Sequence, residues 1–315
     1  MMYVYALGGF VLLFAGGEWL VHGAVSISRR FGLSPLLIGM TVVAWCTSAP
    51  EFVVSLEAAL SGSSDIAIGN VVGSNIFNVM AVLGVAGLIA PIVVEPCELR
   101  RDVSVMLAAS VAAALLAQTG EIGRTAGLGL IIAVVLYVVL SYRSELKNPQ
   151  LPSAELHTHE AEEITTPPSV GRGLLMLGAG LVGLVIGARL LIMGATEIAR
   201  GFGVPEAVIG LTLVAVGTSL PELAASIMAA VRGHSDVAIG NVVGSNIFNI
   251  LSILGFASVI HPIGIAEQIA RTDVWVMLAV AVLLGVVLLW RGRISRLLAG
   301  ALLSAYVVYV VVLFV

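Results

Sequence analysis

Two stretches of the chain carry most of the groups that could do chemistry. The first reads Thr41-Val-Val-Ala44-Trp-Cys46-Thr47-Ser48-Ala-Pro50-Glu51, the second Thr212-Leu-Val-Ala215-Val-Gly217-Thr218-Ser219-Leu-Pro221-Glu222. In each, a glutamate sits in an apolar run behind a threonine and a serine at helical spacing, so the oxygens share one helix face. Pro50 offers no N–H to the carbonyl of Cys46, and Pro221 none to that of Gly217. Each ring also pushes that carbonyl aside, leaving a free backbone oxygen one turn before each glutamate. A second pair of segments follows. Asn70, Ser74 and Asn78 recur every fourth residue, as do Asn241, Ser245 and Asn249, giving each helix an oxygen-bearing stripe. Gly69 and Gly73, like Gly240 and Gly244, allow close backbone approach beside it. Every donor in this set is oxygen. No histidine or thiolate joins it in both halves, which argues against zinc, copper or iron. A hard-oxygen cage fits calcium, with sodium in the same cavity.

The elements that hold these groups must lie in lipid. Of 315 residues, 59% are hydrophobic and 11% charged, against about 45–50% and about 25% in soluble domains, and the mean hydropathy is +1.09. A net charge of −4 excludes an electrostatic grip on nucleic acid. Cys46 and Cys97 are too few for a disulfide framework. Ten runs are long and apolar enough to span: 3–28, 34–60, 66–94, 103–120, 125–142, 172–199, 205–231, 237–266, 274–290 and 297–315. The expected fold is therefore an all-α membrane protein of ten transmembrane helices. Residues 143–171, rich in Pro, Glu and Thr, read as a linker between the halves 1–142 and 172–315. Eleven of the fifteen Lys and Arg residues fall in loops after odd-numbered spans. That bias puts the linker in the cytoplasm of a cell-membrane protein and both termini outside.

The halves repeat. Shifted by 171, Gly39–Gly84 and Gly210–Gly255 are identical at 28 of 46 positions, and Ala67–Asn78 recurs letter for letter at Ala238–Asn249. The register also holds at Gly23 and Gly194, Phe31 and Phe202, Pro91 and Pro262, and Asp102 and Asp273. Five spans per half, an odd number, force the second half to enter from the opposite side. Two inverted five-helix repeats of this kind are typical of secondary transporters with a midplane site. A carboxylate near mid-span is costly unless it faces a cavity or a cation, and two at symmetric positions suggest one shared site.

With these motifs in view, the chain resembles the cation/calcium exchanger superfamily, in particular its short prokaryotic sodium/calcium exchangers. The signatures are CTSAPE and GTSLPE, each followed by GNVVGSNIFN. The resemblance implies exchange of about three sodium ions for one calcium, both as transported ions with no cofactor. It also implies roles: Glu51, Glu222 and the backbone of Thr47 and Thr218 as calcium ligands. The carbonyls of Ala44 and Ala215 with Ser48, Ser219, Ser74 and Ser245 would form sodium sites, with Asn78 and Asn249 at the centre. Three departures stand out. Cys46 replaces the usual glycine that Gly217 keeps, so a side chain there would narrow one passage. Asparagine at 249, where potassium-dependent relatives carry aspartate, argues against potassium coupling. The linker has no room for large calcium-sensing domains. A calcium/proton antiporter is the main alternative, although its usual GNxxE motif is missing. A channel fits poorly with an occluding cage, and an intramembrane enzyme would need an acid/base or nucleophile cluster that the chain lacks. One chain supplies both halves of the cage, so a monomer suffices.

Other polar residues read as structural. Asp65 and Asp236 are expected to be helix N-caps. His157, Thr158, His159 and Glu160 belong to a solvated tract, His22 and His261 are singletons, and Glu57 is a helix-end residue near the outer interface. Glu18 and Arg189 occupy equivalent positions, 171 apart, in the first and sixth spans. They are expected to form an inter-helix ion pair that ties the two spans into one moving unit.

Overall fold

The computed structural model describes residues 2–31, 44–94, 96–147, 158, 169–232 and 235–314. The chain begins with α1 (Met2–Arg30), then the short α2 (Ala44–Thr47) and α3 (Ala49–Leu60). Next come α4 (Ser64–Ile89), α5 (Pro96–Ala117) and α6 (Arg124–Lys147). The second half opens with α7 (Val170–Phe202), α8 (Glu206–Thr218) and α9 (Leu220–Arg232). It closes with α10, which runs from Ser235–Phe248 into Gly255–Ile260, α11 (Ile269–Arg291) and α12 (Arg296–Leu313). Local chemistry sets the ends. Ser169 and Ser295 cap α7 and α12 by accepting from the N–H groups of Arg172 and Leu298. Gly203 and Gly292, at φ 65° and 58°, stop α7 and α11 in the left-handed conformation that glycine adopts freely.

This is a helical membrane protein. Among the described residues, seven helices are long and apolar enough to cross a bilayer, or eight counting the bent pair α8–α9. The two remaining expected spans differ for separate reasons. Residues 34–43 of the run 34–60 lie outside the described residues. Helix α5 exists, but any 18-residue stretch of it includes Arg100, Arg101 and Asp102.

Two antiparallel strand pairs join the halves. β1 (Ile92–Val93) pairs with β4 (Arg293–Ile294), and β2 (Glu121–Ile122) with β3 (Ile263–Gly264). β1 and β3 are 171 residues apart, whereas Ile122 corresponds to Ile294 at 172. The gapless register thus ends after Asp273, and the second half carries one extra residue before Gly292. With that correction Tyr137 and Tyr309 are counterparts. Each donates its hydroxyl to a buried aspartate, at 3.2 Å to Asp102 and 2.9 Å to Asp273.

Helices α1 and α7 pack antiparallel, backbone against backbone. Gly9, Gly16 and Gly23 recur every seventh residue, as do Gly173, Gly180, Gly187 and Gly194. A Cβ on Gly16 would lie 2.9 Å from the Gly180 carbonyl oxygen, and one on Gly23 2.7 Å from that of Gly173. The facing glycines (9 with 187, 16 with 180, 23 with 173) have numbers summing to 196. This register corrects the expected Glu18–Arg189 pair. Glu18 faces residue 178 and Arg189 residue 7, so they are 11 residues out of step, about 16 Å along the helices at 1.5 Å per residue. Arg189 instead donates to Glu57 across to α3, Nε to Oε1 at 3.1 Å. Glu57 is therefore an ion-pair partner rather than a simple helix end.

Two further expectations change. Ile66 and Ala67 already donate to the Ser63 carbonyl, so Ser63 precedes the helix and Asp65 lies in its first turn, not at the N-cap. The Asp236 side chain lies outside what is described. Within the expected linker 143–171, α6 continues to Lys147 and α7 starts at Val170. The segment with His157, His159 and Glu160 lies outside the described residues.

Candidate functional site

The site forms where helices break. α2 ends at Thr47 and α3 begins at Ala49, with Ser48 at φ −84°, ψ 7° between them. α8 ends at Thr218 and α9 begins at Leu220, with Ser219 at φ −89°, ψ 12°. The prolines sit in the first turn of the second segment, where a missing N–H costs nothing. The axes of α8 and α9 differ by 46°. The sequence implied a freed carbonyl at Cys46 and Gly217; the structure turns the chain two residues later, at Ser48 and Ser219.

Each glutamate is fixed by an asparagine on the following helix. Asn70 Nδ2 donates to the Glu51 carbonyl at 3.3 Å and to Ser55 Oγ at 2.9 Å. Asn241 Nδ2 repeats this on the Glu222 carbonyl at 3.0 Å and Ser226 Oγ at 2.9 Å. Ser55 and Ser226 escaped the sequence reading, although each lies four residues past its glutamate on the same face. Contacts then cross between halves. Thr218 Oγ1 donates to Asn70 Oδ1 at 3.0 Å, and Ser219 Oγ to Glu51 Oε1 at 3.1 Å. The Ala215 carbonyl accepts from Thr218 Oγ1 at 3.3 Å and Ser74 Oγ at 3.4 Å.

A pair of wide helical turns brings in the asparagines. Asn78 opens a π-helical turn, Asn78–Val82, within α4, and Asn249 opens another, Asn249–Leu254, within α10. Such turns recur at functional sites because they redirect side chains and carbonyls. Asn78 Nδ2 donates to Asn246 Oδ1 at 3.2 Å, and Asn246 Nδ2 to the Asn75 carbonyl at 3.4 Å. Asn75 and Asn246 are counterparts 171 residues apart, so this contact joins equivalent positions of the two halves. Neither was singled out in the sequence, because they fall between the steps of the four-residue stripe.

The electrostatics of the site follow from what these bonds leave over. Glu51, Glu222, Ser48, Ser74, Ser219, Ser245, Thr218, Asn78, Asn249 and Ala215 are all buried. Glu51 Oε2, Glu222 Oε2, Asn75 Oδ1, Asn78 Oδ1 and Asn249 Oδ1 are buried without a hydrogen-bond partner. All five are acceptors, and two belong to carboxylates. None of the ion pairs Arg101–Asp102, Arg189–Glu57 and Arg271–Glu267 reaches either glutamate. Buried acceptors without donors call for a donor or a positive charge, and a cation can serve several of them at once. Of the remaining sequence-chosen residues, Thr47 lies in α2 beside the break, and Ala44 opens that helix, its side chain outside the description.

A helical membrane protein with a buried, all-oxygen, acceptor-rich site is equipped to pass cations through a bilayer. The comparisons narrow this class: the sodium/calcium exchanger protein family matches residues 1–143 and 172–315, so the chain belongs to that family and is a cation exchanger, not an enzyme. It is 38% identical to CaxA of Alkalimonas amylolytica, over 99% of this chain and 98% of that one. It is 33% identical to the sodium/calcium exchanger MaX1 of Methanosarcina acetivorans, over 97% and 96%. A structure of the sodium-calcium exchanger NCX_Mj, soaked with Na+ and Sr2+, aligns over 99% of both chains with a TM-score of 0.64 and 33% identity.

Proposed function

We propose that the protein exchanges sodium for calcium by alternating access at one buried site. Calcium sits between Glu51 and Glu222 with the backbone of Thr47 and Thr218. Sodium takes the flanking positions, formed by the carbonyls of Ala44 and Ala215 with Ser48, Ser74, Ser219 and Ser245, and Asn78 and Asn249 lie at the centre. About three sodium ions move per calcium, which makes exchange electrogenic. The observation that carries this reading is the cluster of five unpartnered acceptor oxygens, two of them carboxylate. Two carboxylates balance one divalent ion, and oxygen ligands in a flexible set suit calcium.

The same reading assigns ten spans in two inverted repeats, 1–142 and 172–315, joined by a cytoplasmic linker within 143–171, with both termini outside. It is supported by the exchange of strands between halves, by the antiparallel α1–α7 seam, and by the Asn246–Asn75 contact between equivalent residues. Calcium uptake into vesicles, with and without an outward-directed sodium gradient, tests the assignment. Uptake should require the gradient and carry net charge. Uptake driven equally well by a proton gradient without sodium would replace it with calcium/proton exchange.

A further inference from the structure

We infer that Phe10 is the gate of one ion passage: its ring closes the path along α8 by seating on Gly217, and opens it by withdrawing into an apolar cavity behind it. The inference rests on the shared site proposed above. Gly217 immediately precedes Thr218, and a Cβ there would overlap Cε1 and Cζ of the Phe10 ring. The ring therefore lies flush on the backbone one residue before Thr218, in a position only glycine permits. A gate also needs somewhere to go. Phe10 also lines a cavity of about 570 Å³, open toward the surface, together with Tyr3, Ala6, Leu7, Thr212 and Leu213. Its walls are mostly apolar and suit an aromatic ring.

Among the described residues, the counterpart positions of the other half form no such device. The counterpart of Gly217 is Cys46, whose side chain is buried in the same place, and the counterpart of Phe10 is Leu181, which is 52% exposed. A second fastening marks the same side as the gate. Arg189 of α7 pairs with Glu57, six residues past Glu51 and so about 9 Å along α3. Their counterparts, Glu18 and Met228, cannot pair. In the proposed orientation both fastenings lie between the site and the outside.

The test reads each side of the membrane separately. Half-saturating calcium is measured in right-side-out and inside-out vesicles for wild type, Phe10→Ala, Phe10→Leu and Leu7→Trp. A residue that merely supports packing would change the maximal rate and leave the two half-saturation values together. If Phe10 is the gate, its removal raises the fraction open to the outside, and the external value falls about threefold to tenfold while the cytoplasmic value holds or rises. Phe10→Leu shifts the same way but less, and serves where the alanine variant does not fold. Leu7→Trp fills the cavity, traps the ring on its seat and raises the external value. External and cytoplasmic values that stay fixed, or move together, overturn the gate. Equilibrium calcium binding separates this from failure of the site itself: a wild-type protein that binds no calcium, or a Glu51→Gln variant that binds it normally, would overturn the shared-site reading instead.

Discussion

The seam between α1 and α7 gives a prediction whose size can be worked from distances. An added Cβ on Gly180 would meet the Leu20 nitrogen at 2.6 Å and the Gly16 carbonyl oxygen at 2.7 Å, against an ordinary contact of 3.4 Å or more. The helices must then part by about 0.8 Å, since 3.4 − 2.6 = 0.8. On Gly16 the nearest atoms are at 2.9 Å, and the separation needed is about 0.5 Å. Gaps of 0.5–1 Å forfeit roughly a quarter to a half of each dispersion contact. In lipid that packing is the main force holding two helices together. Overpacking of this kind costs about 1–3 kcal/mol, and the gain in helix propensity from glycine to alanine returns at most about 1 kcal/mol. Gly180→Ala should therefore destabilise by about 1–2 kcal/mol and Gly16→Ala by less. Gly8 and Gly178, on the same helices, have nothing within 4 Å of an added Cβ, so alanine there should be neutral or stabilising. Thermal unfolding in detergent ranks the four variants. If Gly180→Ala unfolds at the same temperature as Gly178→Ala, the backbone contact contributes nothing and the reasoning fails.

Other expectations concern charge. Glu51→Gln and Glu222→Gln should each abolish calcium exchange in a folded protein, because each removes one of two formal charges balancing a divalent ion in a low-dielectric cage; near-normal flux in either variant would exclude a shared site. Asn249→Asp adds a third carboxylate beside them and should alter the pH and cation dependence of exchange more than the unfolding temperature, and unchanged profiles would remove this position from the centre. A double-mutant cycle on Arg189→Gln and Glu57→Gln should give a coupling of about 0.5–1 kcal/mol, small because the Arg189 side chain is 65% exposed. The same cycle on Arg189 and Glu18 should be additive, and coupling there would contradict the register of the seam.

Much of the candidate site could be read from residue types alone, and what escaped did so for geometric reasons. Glu51, Glu222 and the Thr-Ser steps before them were visible because a polar group in an apolar span is costly and must have a use. Ser55 and Ser226 were equally legible, being four residues past each glutamate in both halves, but a lone serine in a helix carries little signal by itself. Asn75 and Asn246 could not be placed, because their role comes from meeting each other across the halves. A linear spacing rule sees only one helix at a time. The ion pair was misassigned for the same reason. Equal positions in two repeats are not adjacent positions when the helices run antiparallel, and the register that separates Glu18 from Arg189 was written in the seven-residue glycine spacing.

The two halves share the proposed ligands but differ in the walls around them, and the proposed mechanism gives that contrast a meaning. Glutamates, asparagines and serines recur in both halves, so the site offers an ion similar oxygens from either side. Around it the matching breaks down. Trp45 packs edge-on against Phe52 and Phe256 at ring-centre distances of 5.6 and 5.2 Å, where the equivalent positions hold only Val216, Leu223 and Val85. Perfectly matched halves would make the inward-open and outward-open states equivalent by a twofold rotation and equal in energy, with no preference for either. A contact present in one state and broken in the other removes that degeneracy. Two aromatic contacts worth about 0.5–1.5 kcal/mol each would bias the states by about 1–3 kcal/mol, and every 1.4 kcal/mol is about tenfold in population. Such a bias leaves the stoichiometry alone, because it touches no ligand. It sets instead how long the empty site waits on each side, and hence which ion concentrations load it. Selection on the walls can thus tune the exchanger to its membrane while selection on the oxygens keeps its chemistry fixed.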